Sequence, residues 1–282
     1  NEPLPLIIRK GDGGYNYATT DLACVIDRVE RLKATSMLYV VGAPQAQHLQ
    51  MVEAVARQAG WLPEGSTMNH ISFGSVLGSD RKMLKSRSGG ETVKLAALLE
   101  EAVERAEVAV AEKNPEMSSA DRSDVARMIG IGAVKYSDLS TDRVKDYIFD
   151  WDRMLSFEGN TAPYLQYAHA RICSIFRRAG VERSSVRSVV PHIGEPHERE
   201  LALRVLRFDS AVWETIDTLS PHKLCTYLFD LATDFTAFYE HCPVLKTGHE
   251  DTRESRLALC DATARVMEQG LALLGIRSPE QM

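Results

Sequence analysis

The sequence has few cysteines and no long hydrophobic segment. Its five cysteines are far apart and none forms a Cys-x-x-Cys pair, which argues against a zinc site or a disulfide framework and predicts reduced, mostly buried thiols. No run of about eighteen apolar residues occurs, and the first residues lack the basic and then apolar pattern of a signal peptide. We therefore expect a cytoplasmic protein with no membrane span.

The composition is that of an ordinary folded protein. Hydrophobic residues make up 44% of the 282 residues and charged residues 26%, enough for one large core or two modest ones. The formal net charge of -6 argues at first sight against a nucleic-acid partner, but binding follows the local field and not the total charge. Positive charge is concentrated in one region, at Arg171, Arg177, Arg178, Arg183, Arg187, Arg199, Arg204 and Arg207.

The first part of the chain has an α/β pattern. Strand, turn and helix signals alternate, and the helical pattern after the strand at 37–41 stops at Gly60. These segments predict a βαβ unit of a parallel or mixed sheet with too few strands to be complete. The predicted elements are a strand at 4–9, a hairpin turn at 11–14, a return strand at 15–18, a helix capped by Thr19 or Thr20, a buried parallel strand at 37–41, a helix at 47–59 and a strand at 70–77.

The second part of the chain has a helical pattern almost throughout. Apolar residues from Leu95 to Val110 recur at helical spacing, and the pattern breaks between Asn114 and Asp121. We therefore place one domain at residues 1–120 and a second domain, an antiparallel helical bundle, at 121–282. Helices are predicted at 125–136, 164–179, 198–219, 222–241 and 254–274.

A basic loop at residues 80–90 joins the last strand to the first long helix. Two lysines three residues apart, Lys82 and Lys85, lie in it together with serines and glycines. Ligands of α/β sheets bind beyond the carboxyl ends of strands and at helix N-termini, so this loop could reach a phosphate chain. On charge pattern alone, a solvated basic turn is an equally good interpretation.

The loop Lys82-Met83-Leu84-Lys85-Ser86 resembles the Lys-Met-Ser-Lys-Ser signature of class I aminoacyl-tRNA synthetases, with leucine at the third position. Its flanks, Phe73 to Gly78 and Arg87 to Leu95, are similar to the arginyl-tRNA synthetase version. The resemblance implies that Lys85, and secondarily Lys82, stabilise the phosphates of ATP as pyrophosphate leaves. It also implies Mg²⁺ accompanying ATP, with no dedicated protein site visible. The ATP-binding residues would be Lys82, Met83, Lys85, Ser86 and Val76.

The segment from Gly11 to Ala23 is similar to the part of arginyl-tRNA synthetases that forms the amino-acid pocket. The resemblance assigns the binding of L-arginine to Tyr17, Asp21 and Gln45. A guanidinium is a planar group with five donors, which a carboxylate, neutral acceptors and an aromatic face match well. The commoner role for an acid such as Asp21 is an interaction with the helix dipole.

The segment from Phe157 to Ile172 is similar to the anticodon-binding helix of the same family. Tyr164, Tyr167 and Arg171 fall on one face of the predicted helix, where two rings and a guanidinium could stack on bases and pair with phosphate. On pattern alone, half-buried packing is the commoner role for such tyrosines. The family's ending is matched as well, which implies that Met282 is the native C-terminus and lies near the anticodon loop of tRNA-Arg.

The second signature of class I synthetases, His-x-Gly-His, does not occur, and we interpret the partial match His192-Ile193-Gly194-Glu195 as coincidence. The resemblance therefore implies a C-terminal portion of a monomeric arginine–tRNA ligase. This portion would be the second half of a Rossmann-like catalytic domain followed by a DALR-type anticodon-binding domain. It would lack the N-terminal domain and the other half of the ATP site. The alternative is a non-catalytic tRNA-binding module derived from the synthetase.

Overall fold

A computed structural model of the chain describes residues 5–78, 80–82 and 94–282. The chain divides into two compact units, one of residues 1–76 with 144–146 and one of 77–143 with 147–282. The elements are α1 (Tyr17–Glu30), β1 (Ser36–Val40), α2 (Ala46–Gln58), β2 (Thr67–Ile71), β3 (Val76–Leu77), α3 (Leu95–Lys113), α4 (Ser119–Ser140), β4 (Tyr147–Ile148), α5 (Trp151–Met154), α6 (Ala162–Ala179), α7 (Pro196–Leu206), α8 (Phe208–Thr218), α9 (His222–His241) and α10 (Glu250–Leu273).

The first unit is built on two parallel strands. β1 pairs with β2 in a register that runs from Ser36 opposite Thr67 to Val40 opposite Ile71, as the predicted βαβ unit requires. Its core is small and consists of Leu22, Val25, Met37, Val52, Ala56 and Leu62. Leu38 and Val40 on the other face of β1 are 52% and 62% exposed, so the prediction that this strand is buried is wrong for one of its two faces.

The predicted return strand at 15–18 is wrong from Tyr17 onward, where α1 begins. The hairpin turn before it is confirmed in a minimal form, as a single antiparallel bridge between Arg9 and Tyr15. The helix starts early because Asn16, and not a threonine, is its N-cap: the Asn16 side chain accepts hydrogen bonds from the backbone N–H groups of Ala18 and Thr19. A cap satisfies donors that the first helical turn leaves unpaired.

The strand predicted at 70–77 is two separate strands, β2 and β3. Gly74 lies between them, and a side chain there would collide with the backbone carbonyl of Lys145. This close approach of two backbone segments accounts for a glycine at a position where the alternating pattern alone predicts a continuous strand.

The second unit is a helical bundle with an extended core, as predicted. Large, fully buried side chains from α4, α6, α7, α9 and α10 fill it, among them Tyr136, Leu165, Leu201, Phe235 and Met267. The boundary expected between residues 120 and 121 falls in the first turn of α4, which belongs to this unit together with α3. As a domain boundary it stays a prediction.

The helix predicted at 198–219 is two helices, α7 and α8, separated at Arg207. Leu201 is fully buried, but Ile216 on the same predicted stripe is 52% exposed. The prediction that the whole stripe faces the core is therefore wrong at its C-terminal end, since α8 has no fully buried residue and only its first turns pack against the core.

The cysteines are free thiols, as predicted. Cys24 on α1 is exposed, whereas Cys173, Cys225, Cys242 and Cys260 are buried in the second unit. Burial raises the pKa of Cys225 to about 12. Within the described ranges, no helix is long and apolar enough to cross a membrane.

Candidate functional site

Two side chains predicted to bind substrate lie on the first turns of α1. Tyr17 and Asp21 are four residues apart, so they lie on one face of the helix. The start of this helix is fixed to the preceding segment, because the Asn16 amide donates to the carbonyl of Ile7 at 2.9 Å and the Thr19 hydroxyl donates to the carbonyl of Ile8. The two side chains are thus presented from an anchored helix N-terminus.

His48, in the first turn of α2, contacts both of these side chains. Its Nε2 lies 2.6 Å from Oδ2 of Asp21, and its ring centroid lies 4.7 Å from that of Tyr17. The His48 side chain is 15% exposed and that of Asp21 36% exposed, so the carboxylate remains accessible to solvent beside a mostly buried histidine. The structure therefore brings Tyr17 and Asp21 together around a histidine that the sequence analysis did not identify.

Gln45 lies close to this cluster along the chain but does not join it. It ends a 3₁₀ turn, Ala43–Gln45, and directly precedes α2. Its side chain is exposed, and within the described ranges it makes no hydrogen bond to Tyr17 or Asp21. Two of the three residues predicted to form the pocket thus converge, and the third stands at the N-terminus of the helix that carries His48.

The pocket helix is held on the sheet by Arg28. Its guanidinium donates to the Tyr39 hydroxyl at 2.7 Å and lies 5.1 Å from the centroid of the same ring. Burial raises the pKa of Tyr39 above its ordinary value, although the nearby Arg28 charge opposes this. Because Tyr39 belongs to β1, the contact ties α1 to the strand, and the Tyr17 and Asp21 face of α1 keeps its orientation.

The basic loop is described only at its beginning. The N–H of Gly78 donates to the carbonyl of Lys82 at 2.9 Å, and the N–H of Lys82 donates to the Asp80 carboxylate at 3.0 Å. The Lys82 ammonium is exposed, 3.8 Å from the Asp80 carboxylate. Val76 is half-buried in β3. The other predicted ATP-binding residues, Met83, Lys85 and Ser86, lie outside the described residues.

A second candidate site lies on α6 in the helical unit. Thr161 caps this helix by accepting from the N–H of Tyr164 at 3.3 Å. Arg171 lies 4.8 Å from the ring centroid of Tyr167 and 5.7 Å from that of Tyr239 on α9. Its guanidinium donates to the Tyr167 hydroxyl at 3.2 Å, and this hydrogen bond lowers the pKa of Tyr167.

Lys113 at the end of α3 completes this group. Its ammonium lies 4.5 Å from the ring centroid of Phe157 and 5.9 Å from that of Tyr167. The two rings are edge to face, with centroids 6.3 Å apart. We call the set of Lys113, Phe157, Tyr167, Arg171 and Tyr239 the cation–aromatic patch. It places two cations among three rings, which is the chemistry that binds unstacked bases and phosphates.

Tyr164 has packing partners of its own. Its ring lies 5.7 Å from that of Phe229, and its hydroxyl lies 3.5 Å from that of Thr236. Met282 packs against a buried cluster that includes Val110 and Ile129, and Phe157 packs against the same cluster. Both predicted tRNA-binding residues are thus half-buried at the margin of the patch.

Many arginines of the basic region are neutralised by acids of neighbouring helices. Arg183 pairs with Asp261 at 3.1 Å and with Glu268 at 2.6 Å, and Arg204 pairs with Asp234 at 2.7 Å. Arg183, Arg187 and Arg204 are therefore neutralised by acids, so the run as a whole does not form a continuous basic surface. Arg171 is the member of this run that faces aromatic rings.

The partial signature at residues 192–195 has a structural role. Glu195 is the N-cap of α7 and forms a capping box with Glu198. The Glu198 carboxylate, 3% exposed, also accepts from the N–H of Gly194 at 2.8 Å and pairs with Arg256 at 2.8 Å. These contacts account for the residue types of the segment without a catalytic role.

Sequence reasoning missed His48, Lys113 and Tyr239. Each contacts a residue on another helix. His48, for example, is hydrogen-bonded to Asp21, which lies 27 positions earlier in the sequence. A histidine three residues after Gln45 was the only local signal for the first. Nothing in the sequence places Lys113 beside Phe157, because only the packing of the helices does so.

Two family models match the chain. The model of the class I (R) tRNA synthetase catalytic domain matches residues 1–151, and the model of the DALR anticodon binding domain matches residues 165–282. Proteins named arginine–tRNA ligase from Thermobifida fusca and Proteus mirabilis are 56% and 48% identical over 281 residues. These alignments cover 100% of this chain and 48% of each relative, so the chain spans about half their length.

Solved structures agree with these matches. The arginyl-tRNA synthetase from Plasmodium falciparum superposes with a TM-score of 0.86 at 31% identity, over 100% of this chain and 47% of that one. The Thermus thermophilus arginyl-tRNA synthetase superposes with a TM-score of 0.84 at 30% identity, over 98% of this chain and 51% of that one.

Proposed function

This chain belongs to the arginyl-type class I tRNA synthetases, and we propose that the full-length product of its gene is an arginine–tRNA ligase. The family resemblance deduced from the loop and pocket motifs, and the α/β-plus-helical fold deduced with it, are confirmed. The proposed reaction couples L-arginine to ATP, releases pyrophosphate and passes the arginyl group from the adenylate to tRNA-Arg. The convergence of Tyr17 and Asp21 around His48 is the observation that carries this proposal.

In this proposal, Asp21 receives the guanidinium of the substrate. A carboxylate and a planar five-donor cation form paired, charge-assisted hydrogen bonds. Tyr17, which is exposed beside it, supplies a ring and a hydroxyl along the same path. Gln45 supplies a neutral acceptor if its exposed side chain turns toward the substrate. The pocket therefore selects for a cationic side chain of defined shape over a smaller ammonium.

Lys85 and secondarily Lys82 are proposed to stabilise negative charge on the phosphates of ATP while pyrophosphate leaves. Met83, Ser86 and Val76 would contribute to the same ATP site. A fixed cation at developing charge lowers a barrier by about 2–4 kcal/mol. The support is the residue pattern of the loop together with the exposed ammonium of Lys82.

Mg²⁺ is expected to arrive with ATP. Among the described residues, no group of three or more His, Cys, Asp or Glu side chains could hold a metal ion. Because a Mg²⁺ ion carried by ATP needs only one or two protein carboxylates beside the phosphates, no step is assigned to a resident ion.

The helical unit is proposed to bind the anticodon loop of tRNA-Arg. Tyr167 and Arg171, with Tyr164 and Met282 at the margin, would meet bases and phosphates at the cation–aromatic patch. Single-stranded RNA is bound by stacking on aromatic rings and guanidinium planes. We further propose that the protein acts as a cytoplasmic monomer and that residues 1–120 and 121–282 are its catalytic and anticodon-binding parts.

A second candidate function is a non-catalytic tRNA-binding module. It is favoured by the absence of a His-x-Gly-His tetrad from these 282 residues, because class I activation of an amino acid uses that signature together with the lysine loop. In this case the chain binds tRNA-Arg but activates no arginine.

Arginine-dependent exchange of pyrophosphate into ATP separates the two functions. We expect exchange by the full-length gene product and little or none by this chain, while both bind tRNA-Arg in a filter-binding assay. Absence of exchange by the full-length product would overturn the ligase proposal. Clear exchange by this chain would overturn the module proposal.

A further inference from the structure

The C-terminal tail, residues 275–282, leaves α10 at Gly275, which adopts a φ of 69°, and runs beside α6. Polar side chains hold its backbone carbonyls one after another. Gln166 donates to Arg277 at 2.7 Å, and Arg177 donates to Glu280 at 3.0 Å. His169 Nδ1 lies 3.0 Å from the carbonyl oxygen of Pro279.

The three holding side chains come from one face of α6. Residues 166, 169 and 177 are three and eight positions apart, spacings that keep them on the same side of an α-helix. Lys135 on α4 adds a contact to the carbonyl of Gly275 at 2.6 Å. Hydrogen bonds to successive carbonyls fix the position of a chain along a helix, which apolar packing alone does less strictly.

His169 is the central contact, because both nitrogens of its ring face acceptors. The side chain is 1% exposed, and its Nε2 lies 2.8 Å from Oε1 of Glu268. A carbonyl and an ionised carboxylate can only accept, so only the doubly protonated imidazolium satisfies both. A neutral ring would leave one of the two buried contacts without a proton.

The charges around this ring favour the imidazolium. From α10, Glu268 and Asp261 face the site; Arg183 and Arg187 reach it from the turn after α6, and Cys173 of α6 lies 3.7 Å from Nε2. Burial opposes ionisation of Glu268, but hydrogen bonds from Arg183 and His169 outweigh it and lower the Glu268 pKa. Burial alone would lower the pKa of His169, and its acceptors Cys173, Pro279 and Glu268 together raise it to about 8.

The far end of the tail lies at the cation–aromatic patch. Met282 and Phe157 pack on the same buried cluster, and Phe157 contacts both Lys113 and Tyr167 of the patch. We propose that His169 is a positioning residue for the RNA-binding surface: its buried imidazolium fixes the C-terminal tail, and with it Met282, beside the cation–aromatic patch. The RNA part of this inference rests on the proposed function of the helical unit, whereas the holding of the tail does not.

The proposal carries a definite pH dependence. The His169 pKa in the folded chain is raised to about 8, above the value of about 6.5 for an unfolded chain. The stabilising contribution is therefore complete below about pH 6.5 and is lost as the pH rises toward about 8. The tail is held at neutral pH and released in mild alkali.

A matched pair of surface variants tests the holding of the tail. Arg177→Ala removes the contact to Glu280, whereas Arg178→Ala removes the same charge from the next residue of α6, for which no tail contact is found in the described ranges. The carbon-13 methyl resonance of Met282, assigned with Met282→Leu, reports on the tail. We expect Arg177→Ala alone to shift or broaden this resonance. Identical spectra for the two variants would overturn the proposal.

The RNA contribution is measured with an anticodon stem-loop RNA of tRNA-Arg. Loss of one hydrogen bond from a charged donor predicts binding about threefold to tenfold weaker for Arg177→Ala than for Arg178→Ala. Equal affinities of the two variants would overturn the assignment of the tail to the RNA surface. If the unaltered chain does not bind the stem-loop, the proposed function of the helical unit fails, while the Met282 spectra still decide whether the tail is held.

The role of His169 is tested by titration. The Met282 resonance of the unaltered chain is expected to change with a midpoint near pH 8, and His169→Gln, which cannot donate from two ring nitrogens, is expected to remove this transition. If His169→Gln does not fold by circular dichroism, the unaltered chain alone gives the answer. A Met282 resonance unchanged between about pH 7 and pH 9 would overturn the role of the imidazolium.

Discussion

The two units differ in how much of their apolar surface each buries. The second has a continuous core, with Phe235 and Leu228 inaccessible to solvent. The first buries one face of a two-stranded sheet and leaves Leu38 and Val40 largely exposed. A two-stranded sheet with a small core is marginally stable. The comparison teaches that the candidate arginine site stands on the less stable unit, and the candidate RNA site on the more stable one.

The largest effect should come from the core of the second unit. Phe235→Ala is expected to lower the free energy of unfolding of this unit by about 3–5 kcal/mol, because it leaves a cavity where the buried ring contacts those of Phe238 and Tyr239. Fluorine NMR of labelled tryptophan follows the unfolding of each unit by itself, since Trp61 belongs to the first unit and Trp151 to the second. Val52→Ala, in the core of the first unit, should shift only the unfolding transition that Trp61 reports. A single common transition in both variants would break the comparison.

The next effect concerns the basic loop. Lys85→Ala in the full-length gene product is expected to slow arginyl-adenylate formation about a hundredfold or more, because it removes positive charge from the transition state. Binding of tRNA-Arg should change little. Lys94→Ala, which removes an exposed lysine at the start of α3, is the control. An equal loss of adenylate formation and tRNA binding would count against this role.

A smaller effect is expected at the pocket. In the full-length gene product, Asp21→Ala should raise the KM for arginine about tenfold to a hundredfold, since it removes a charged hydrogen-bond acceptor, and leave the KM for ATP nearly unchanged. Asp27→Ala on the same helix, where the carboxylate pairs with Arg31 at 2.6 Å, is the matched control. Similar increases in both KM values would refute the pocket assignment.

The smallest effect is expected at His48, again in the full-length gene product, because its ring contacts Tyr17 and Asp21. His48→Phe keeps a ring against Tyr17 but loses the hydrogen bond to Asp21, so the KM for arginine should rise about threefold to tenfold. His48→Gln, whose amide can reach Oδ2, should stay within about twofold of the unaltered protein. The reverse order would show that ring packing, and not the hydrogen bond, positions the carboxylate.

The helices were predictable from the sequence where a single stripe of apolar residues faces a single core. α9 has the predicted bounds, because buried residues such as Leu228 and Phe235 recur at helical spacing. Prediction failed where the signal is not periodic. Asn16 starts α1 earlier than expected, and α7 ends before Arg207 although the apolar stripe continues beyond it.

The candidate sites were predictable only in part. Motifs pointed to Tyr17 and Asp21, which converge, whereas His48 and Lys113 act across contacts that depend on how the helices pack. Gln45 stays a prediction, because the turn before α2 leaves its side chain exposed. No spacing rule brings together residues whose proximity is set by tertiary structure.

The distribution of thiols allows the difference between the two units to be measured by chemical labelling. Cys24, the exposed thiol, lies on α1 one turn beyond Asp21, whereas the other four are enclosed in the helical unit. A maleimide dye should therefore attach to Cys24 within minutes in the native protein. From its position one helical turn beyond Asp21, the dye should report the binding of arginine. The four buried thiols should react only as fast as the bundle opens. One labelling time course would therefore give a fast rate for Cys24 in the first unit and a slow rate for the opening of the second.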